Sequence, residues 1–322
     1  PTDENRGDEK PNLLSPRMIS SATISGEQVK SGTQKAVASF IRDTFESYSD
    51  AQEKLVSVVA GAPQKIEARG MLCLVYKELW PYVKQDTKDY DAVYAVAKST
   101  RSLDPIGING IYCEIVKLMI QGKYKEARGV VEHSLNQPLL STAPVLYALK
   151  AELLAEEVDY KSAILYVEKA RQLWPEWLKP QFDQAVYLGK NNEASKALQN
   201  YKQILAKNPK HKSASVEMGL LQYKVFRQNE QAFSVLTASL NEKMRIPRPL
   251  ESEAYHALAL ISLEGRDSKK AKAFAEKAFK LNPGDARVKE LVAKLGGSTK
   301  FSAKSGQNNE LVFLGDQYFR TG

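Results

Sequence analysis

A small residue recurs along this chain at Ala127, Ala163, Ala197, Ala232 and Ala271, at successive spacings of 36, 34, 35 and 39 residues. A period of that length marks stacked supersecondary units, none of which can bury an apolar face alone. Upstream of each alanine lies an apolar stretch at helical spacing, such as Tyr147, Ala151 and Leu154, or Tyr255, Leu258 and Ala259. Four residues downstream, Val131, Val167, Tyr201, Leu236 and Ala275 extend the same apolar face by about one turn. Turn residues lie between the two stretches, as in Gln121-Gly122-Lys123, Gly189-Lys190-Asn191-Asn192 and Glu264-Gly265-Arg266-Asp267. Gly and Asn there supply the positive φ that a helix end requires. The pattern predicts five helix hairpins, with the alanine letting one helix axis approach the next.

The closing proline repeats as well, in Leu173-Trp174-Pro175 and Lys207-Asn208-Pro209. With these residues the chain resembles the tetratricopeptide repeat (TPR) superfamily, best from Tyr147 to Pro209, well from Tyr255 to Pro283, and more loosely over Ile111 to Pro138 and Val216 to Leu240. The resemblance implies an all-α fold, a right-handed superhelical solenoid of antiparallel helix hairpins. It departs from the family pattern at the tryptophan slot, held here by Ile111, Tyr147, Gln181, Val216 and Tyr255. Arg227-Gln228-Asn229 stands where a turn glycine is usual, and Asn241 to Ser252 adds residues including Pro247 and Pro249, which reads as a projecting loop.

Outside the repeats, residues 1–30 are polar, lack apolar period and read as a disordered linker. Residues 31–105 form a helical region ending in a divergent hairpin. Within it Val37, Ile41, Phe45 and Tyr48 recur at helical spacing, Ser49-Asp50 offers the next cap, and Ile66 to Trp80 pairs with Tyr90 to Leu103. The array proper and a following helix occupy 106–295, and a Gly-Ser-Asn linker follows over 296–309. Residues 310–322, with Leu311, Leu314, Tyr318 and Phe319, read as the first helix of a further repeat, so the chain is expected to be a piece of a longer protein.

Catalytic chemistry finds no foothold in the pattern. His133, His211 and His256 fall in three different hairpins, no cysteine or histidine pair has metal-ligand spacing, and Gly296-Gly297-Ser298-Thr299-Lys300 lacks the spacing of a phosphate loop. The chain is therefore expected not to be an enzyme and to need no cofactor. Cys73 and Cys113 are the only cysteines and sit in apolar helical patterns, which points to buried free thiols, with a disulfide between neighbouring hairpins as the alternative. Free thiols and no membrane-length apolar run suggest the cytoplasm, with an upstream targeting signal left open.

Charge is concentrated late in the chain. Arg266 to Lys304 holds eleven basic residues against four acidic, a net +7 of the whole chain's +8. Lys269, Lys270, Lys277 and Lys280 form a basic surface that could attract nucleic acid, another acidic polymer or a membrane. No aromatic residues alternate with these lysines to stack bases, so nucleic acid is not the expected partner.

A superhelix of this kind implies a groove lined by the inward side of each first helix. The positions offset from the alanine seam are Asn109, Tyr112, Val116 and Met119; Glu152 and Glu156; Lys179, Phe182, Val186 and Lys190; Glu217, Leu221 and Lys224; and His256, Leu260 and Leu263. Apolar members would receive side chains of a bound protein segment and charged ones would set its register. The reading is a non-enzymatic scaffold that binds a partner protein in this groove and organises a multiprotein assembly. A basic surface for an acidic polymer, and a homo-oligomerisation module built on the last helix, stand as alternatives.

Overall fold

The computed structural model describes residues 10–18, 23–241, 243 and 245–297. Expectations for residues 1–9 and beyond residue 297, the rest of the C-terminal linker and the final helix, lie outside them. Among the described residues there are fifteen α-helices and no strand. The first four are α1 (Gly26–Phe40), α2 (Phe45–Gly61), α3 (Ile66–Leu79) and α4 (Thr87–Leu103). The repeats supply α5 (Ile108–Ile120), α6 (Tyr124–Leu135), α7 (Pro144–Glu156), α8 (Tyr160–Leu173), α9 (Leu178–Lys190), α10 (Ala194–Lys207), α11 (Lys212–Lys224), α12 (Asn229–Asn241), α13 (Arg248–Glu264) and α14 (Ser268–Leu281), with α15 (Ala286–Lys294) after them. The chain divides into two compact units, one ending at Ala214 and the other beginning at Ser215.

The seam is where the spacing predicts it. Ala127, Ala163, Ala197, Ala232 and Ala271 are all 0 % exposed, and the residues four further on are at most 2 % exposed. Each of these alanines follows, by five positions, a residue with positive φ: Gly122, Val158, Asn192, Arg227 and Arg266. In four of the five turns the amide after that residue donates to a carbonyl five positions back, as from Asp159 to Leu154 and from Asp267 to Ser262. That bond closes the first helix with the left-handed cap geometry that satisfies its orphan carbonyls. Only Gly122 and Asn192 are residue types suited to the position; Val158 holds φ 65 with a β-branched side chain.

Local chemistry overrides the apolar period in three places. Val37 to Tyr48 is not one helix: Thr44 and Ser47 form a capping box that starts α2 at Phe45, and Asp43 turns the chain with φ 53. A second capping box, Ser25 with Gln28, starts α1 at Gly26, inside the stretch that reads as linker. The insertion from Asn241 is shorter than its prolines suggest, because Pro247 is the N-cap of α13 and Pro249 lies in the first turn, where a missing N–H costs nothing.

Contacts distant in sequence close the first unit. The loop between α1 and α2 meets the segments before α9 and α11: Leu178 N–H donates to the Ile41 carbonyl (2.9 Å) and Asn208 Nδ2 to the Arg42 carbonyl (3.0 Å). Phe40 stacks on Trp174 and Trp177, with ring centroids 6.4 and 5.6 Å away. Asp43 lies 3.0 Å from His211 Nε2 and also accepts the Tyr48 hydroxyl at 2.5 Å. His211 Nδ1 accepts the Ala214 amide, so the proton facing Asp43 is on Nε2. The free-thiol expectation is corrected in this unit. Helices α3 and α5 stack side by side as the first helices of adjacent hairpins, which brings Cys73 and Cys113 to a Cα separation of 5.2 Å in a disulfide.

Candidate partner-binding surface

In the first unit most of the positions read as groove are buried or partly buried. Val116 is 0 % exposed, and Tyr112 and Met119 pack partly buried against the core. Burial pushes the Tyr112 hydroxyl far above its ordinary pKa. Asn109 fits against Gly70, where any Cβ would lie within 2.3 Å of its amide oxygen. Phe182 is set between Tyr201 and His211, and Val186 joins the cluster of α7, α8 and α9. Glu156 and Lys190 are exposed.

Glu152 and Lys179 belong to a cluster that spacing could not show. Lys77 of α3 reaches Glu152 of α7 at 2.6 Å and its neighbour Glu78 at 2.7 Å. Lys179 of α9 reaches Asp183 at 2.5 Å and Glu152 at 3.6 Å. All five side chains are at most 17 % exposed. Burial favours the neutral form of each group, and the pairing decides which of them stay charged. Around Lys77 and Lys179 burial is outweighed by the carboxylates, so both ammonium groups are held above their ordinary pKa. Glu152 has two cations against it and is held below the usual range despite burial. Asp183 goes the other way: burial, together with the Glu152 charge, overrides Lys179 and raises it to about 7. The charges of this cluster join α3, α7 and α9 to one another.

The second unit leaves a larger share of the positions read as groove open. Glu217, Leu221 and Lys224 come from α11, and His256, Leu260 and Leu263 from α13. Leu263 is 40 % exposed, Leu221 and Leu260 are half-buried, and His256 is 8 % exposed. Glu253, buried on α13, is the shared anchor: Lys224 reaches it at 2.6 Å and Arg287 of α15 at 2.9 Å. Lys224 and Arg287 nevertheless keep 47 % and 52 % of their side chains exposed. Arg287 also holds Asp285, the cap of α15, at 2.7 Å. Burial lowers the His256 pKa against the pull of Glu253, which favours a neutral imidazole beside these charges. Helices α11 and α13 thus carry both the leucines and the ion pair of Lys224 with Glu253, on which Arg287 also converges.

Lys269, Lys270, Lys277 and Lys280 are all exposed on α14. Lys270 bonds the N-cap Asp267 at 3.0 Å, and Lys277 lies 5.3 Å from the Tyr255 ring centre. Among the described residues no group of three or more His, Cys, Asp or Glu is placed to hold a metal, and no helix is long and apolar enough to cross a membrane. Sequence reasoning missed Lys77, Asp183, Glu253 and Arg287. A signal existed for the first two: Lys77 interrupts an apolar helix, and Lys179 and Asp183 stand four apart on one helix face.

The hairpins, their shared seam and their common turn define an all-α helical-repeat fold. No family model matches the chain, and no curated protein matches it in sequence. Solved structures match its fold. A chain of the APC/C hetero-tetramer Cut9–Hcn1 superposes with a TM-score of 0.71 at 14 % identity, covering 84 % of this chain and 50 % of that one. This chain therefore spans half the length of that relative. A tetratricopeptide repeat protein from Parabacteroides merdae gives 0.51 at 13 % identity, over 84 % of this chain and 100 % of its own. The human IFIT1 dimer with m7Gppp-AAAA gives 0.54 at 13 % identity, over 78 % and 63 %. The fold is that of the tetratricopeptide repeat superfamily.

Proposed function

We propose that this protein is a non-enzymatic scaffold that holds a segment of a partner protein on the inner side of its second unit and so organises a multiprotein assembly. The observation that carries this reading is the exposed Leu263 with half-buried Leu221 and Leu260 on α11 and α13, the helices that also hold Lys224 and its buried partner Glu253, to which Arg287 is paired as well. Apolar residues and positioned charges carried on the same helices suit a peptide or helix that buries side chains and is held in register by polar contacts. The first unit contributes less to such a surface, because its corresponding charges already satisfy one another. The Cut9–Hcn1 hetero-tetramer is a protein assembly built on the same fold, which supports the reading by analogy.

The test begins with the chain as bait in lysate, at low and high salt and after nuclease. Binding is then remeasured with Leu263→Glu and Lys224→Ala, two exposed positions, and melting is checked for each because Lys224 also pairs with the buried Glu253. A protein retained at high salt should be lost with these variants, by about tenfold or more in affinity for an interface anchor. Unchanged affinity would rule out this surface. The four exposed lysines of α14 favour a second reading, an acidic polymer or anionic membrane. It predicts capture that falls steeply with salt and disappears on charge reversal at Lys269, Lys270 and Lys277.

A further inference from the structure

A short extended segment before α1 is held as a ligand would be. Leu13 is 2 % exposed, yet it lies outside every helix of the hairpins. Its amide donates to Asp89 Oδ1 at 2.6 Å, and the Leu14 amide donates to Gln52 Oε1 at 2.9 Å. The Leu14 carbonyl accepts the Tyr76 hydroxyl at 2.6 Å, and the Pro11 carbonyl accepts the Lys84 amide at 3.1 Å. Asn12 Nδ2 donates to Asp86 Oδ1 at 2.9 Å and to Asp89 Oδ1 at 3.2 Å. Side chains of α2, α3 and α4 thus read the backbone of Leu13 and Leu14, the Lys84 main chain holds Pro11, and two carboxylates read the Asn12 carboxamide.

We infer that the surface formed by α2, α3 and the start of α4 is a recognition site for an extended peptide bearing an Asn-Leu pair. Residues 11–14 are its built-in occupant, exchangeable for an equivalent segment of another protein.

Two features favour a site over a fixed seam. The receiving groups are organised without the segment: Asp86 caps α4 and Asp89 closes the capping box, its other oxygen accepting the Gln85 amide at 2.7 Å. Tyr76 and Gln52 are set in α3 and α2, which pack on each other. The segment itself has one deep apolar anchor, Leu13, while Leu14 is 39 % exposed and Arg17 is exposed. Buried Leu13, buried Ser15 and six hydrogen bonds must offset the ordering of the whole segment, and these opposing terms are of similar size. Such a segment opens far more often than the helices beneath it. Specificity comes from Asn12, since only a carboxamide at that position donates to both acids without adding charge.

This inference is independent of the second-unit surface. The test uses the full chain carrying Asn12→Ala and Leu13→Asp, which releases the segment, and a fluorescent peptide spanning Lys10–Arg17. Anisotropy should show saturable binding to this variant and about tenfold weaker apparent binding to the unaltered chain, whose site is filled in cis. Adding Tyr76→Phe or Gln52→Ala should weaken binding by about fivefold, the worth of one hydrogen bond. Absence of saturable binding to a variant with unchanged circular dichroism and melting would overturn the inference. Hydrogen exchange on the unaltered chain decides the matter should the variant fail to fold. The Leu13 and Leu14 amides should exchange about a hundredfold or more faster than those of the α3 core. Protection equal to that of α3 would make the segment a fixed part of the fold and overturn the proposal.

Discussion

Val158 shows how the repeat imposes a conformation on a residue that does not favour it. Five turns carry a positive φ at the same distance from the seam, and only at Val158 is the side chain β-branched, with φ 65. The left-handed conformation costs an L-residue roughly 1–2 kcal/mol, which glycine avoids while losing more backbone entropy on folding. Val158 is also 52 % exposed, so its side chain loses little packing on removal. Val158→Gly should therefore stabilise the chain by about 0.5–1 kcal/mol, measured by urea denaturation. A loss of stability would mean that the valine side chain contributes packing that outweighs its strain.

Elements are joined by more than the seam. The disulfide ties α3 to α5 across a sequence separation of 40 residues, with both cysteines fully buried. Closing a loop of that length removes denatured-state entropy, so replacing both cysteines by alanine should lower stability by about 2–4 kcal/mol. A thiol assay on the chain unfolded without reductant should find no reactive cysteine, and two reactive thiols per chain would refute the linkage. Disulfides persist in oxidising compartments and are rare in the cytosol. The cytoplasmic expectation rested on free thiols, and the linkage removes that ground.

For the whole molecule, the buried charges of the first unit make its stability depend on pH in a definable way. Asp183 titrates at about 7 in the folded chain, raised first by burial, against roughly 3.9 when unfolded. Between these values the unfolded chain releases a proton that the folded chain keeps. Stability owed to this group is full below about pH 4 and is lost as pH rises toward 7. Asp183→Asn abolishes the titration. The stability of the unaltered chain minus that of the variant should fall across this window, checked by denaturation at half-unit steps of pH. A difference that stays level would place the elevated titration on another member of the cluster, Glu78 being the candidate by its own burial.

The hairpins, the buried alanine seam and the repeat fold were legible in the residues alone, because each depends on the period of apolar and small side chains within about 40 positions. The start of α2 was not, since the Thr44 capping box competes with an apolar period that runs straight through it. The groove was legible only as a set of positions. Which of them stay open depends on contacts such as Asp43 with His211, separated by 168 residues, and Lys77 with Glu152, separated by 75. No local pattern encodes such pairs; they form when stacking brings distant hairpins together, and burial then makes an unpaired charge too costly to leave. Periodicity therefore decided the hairpins, while their tertiary packing decided the disulfide, the closed charge cluster and the bound segment at Leu13.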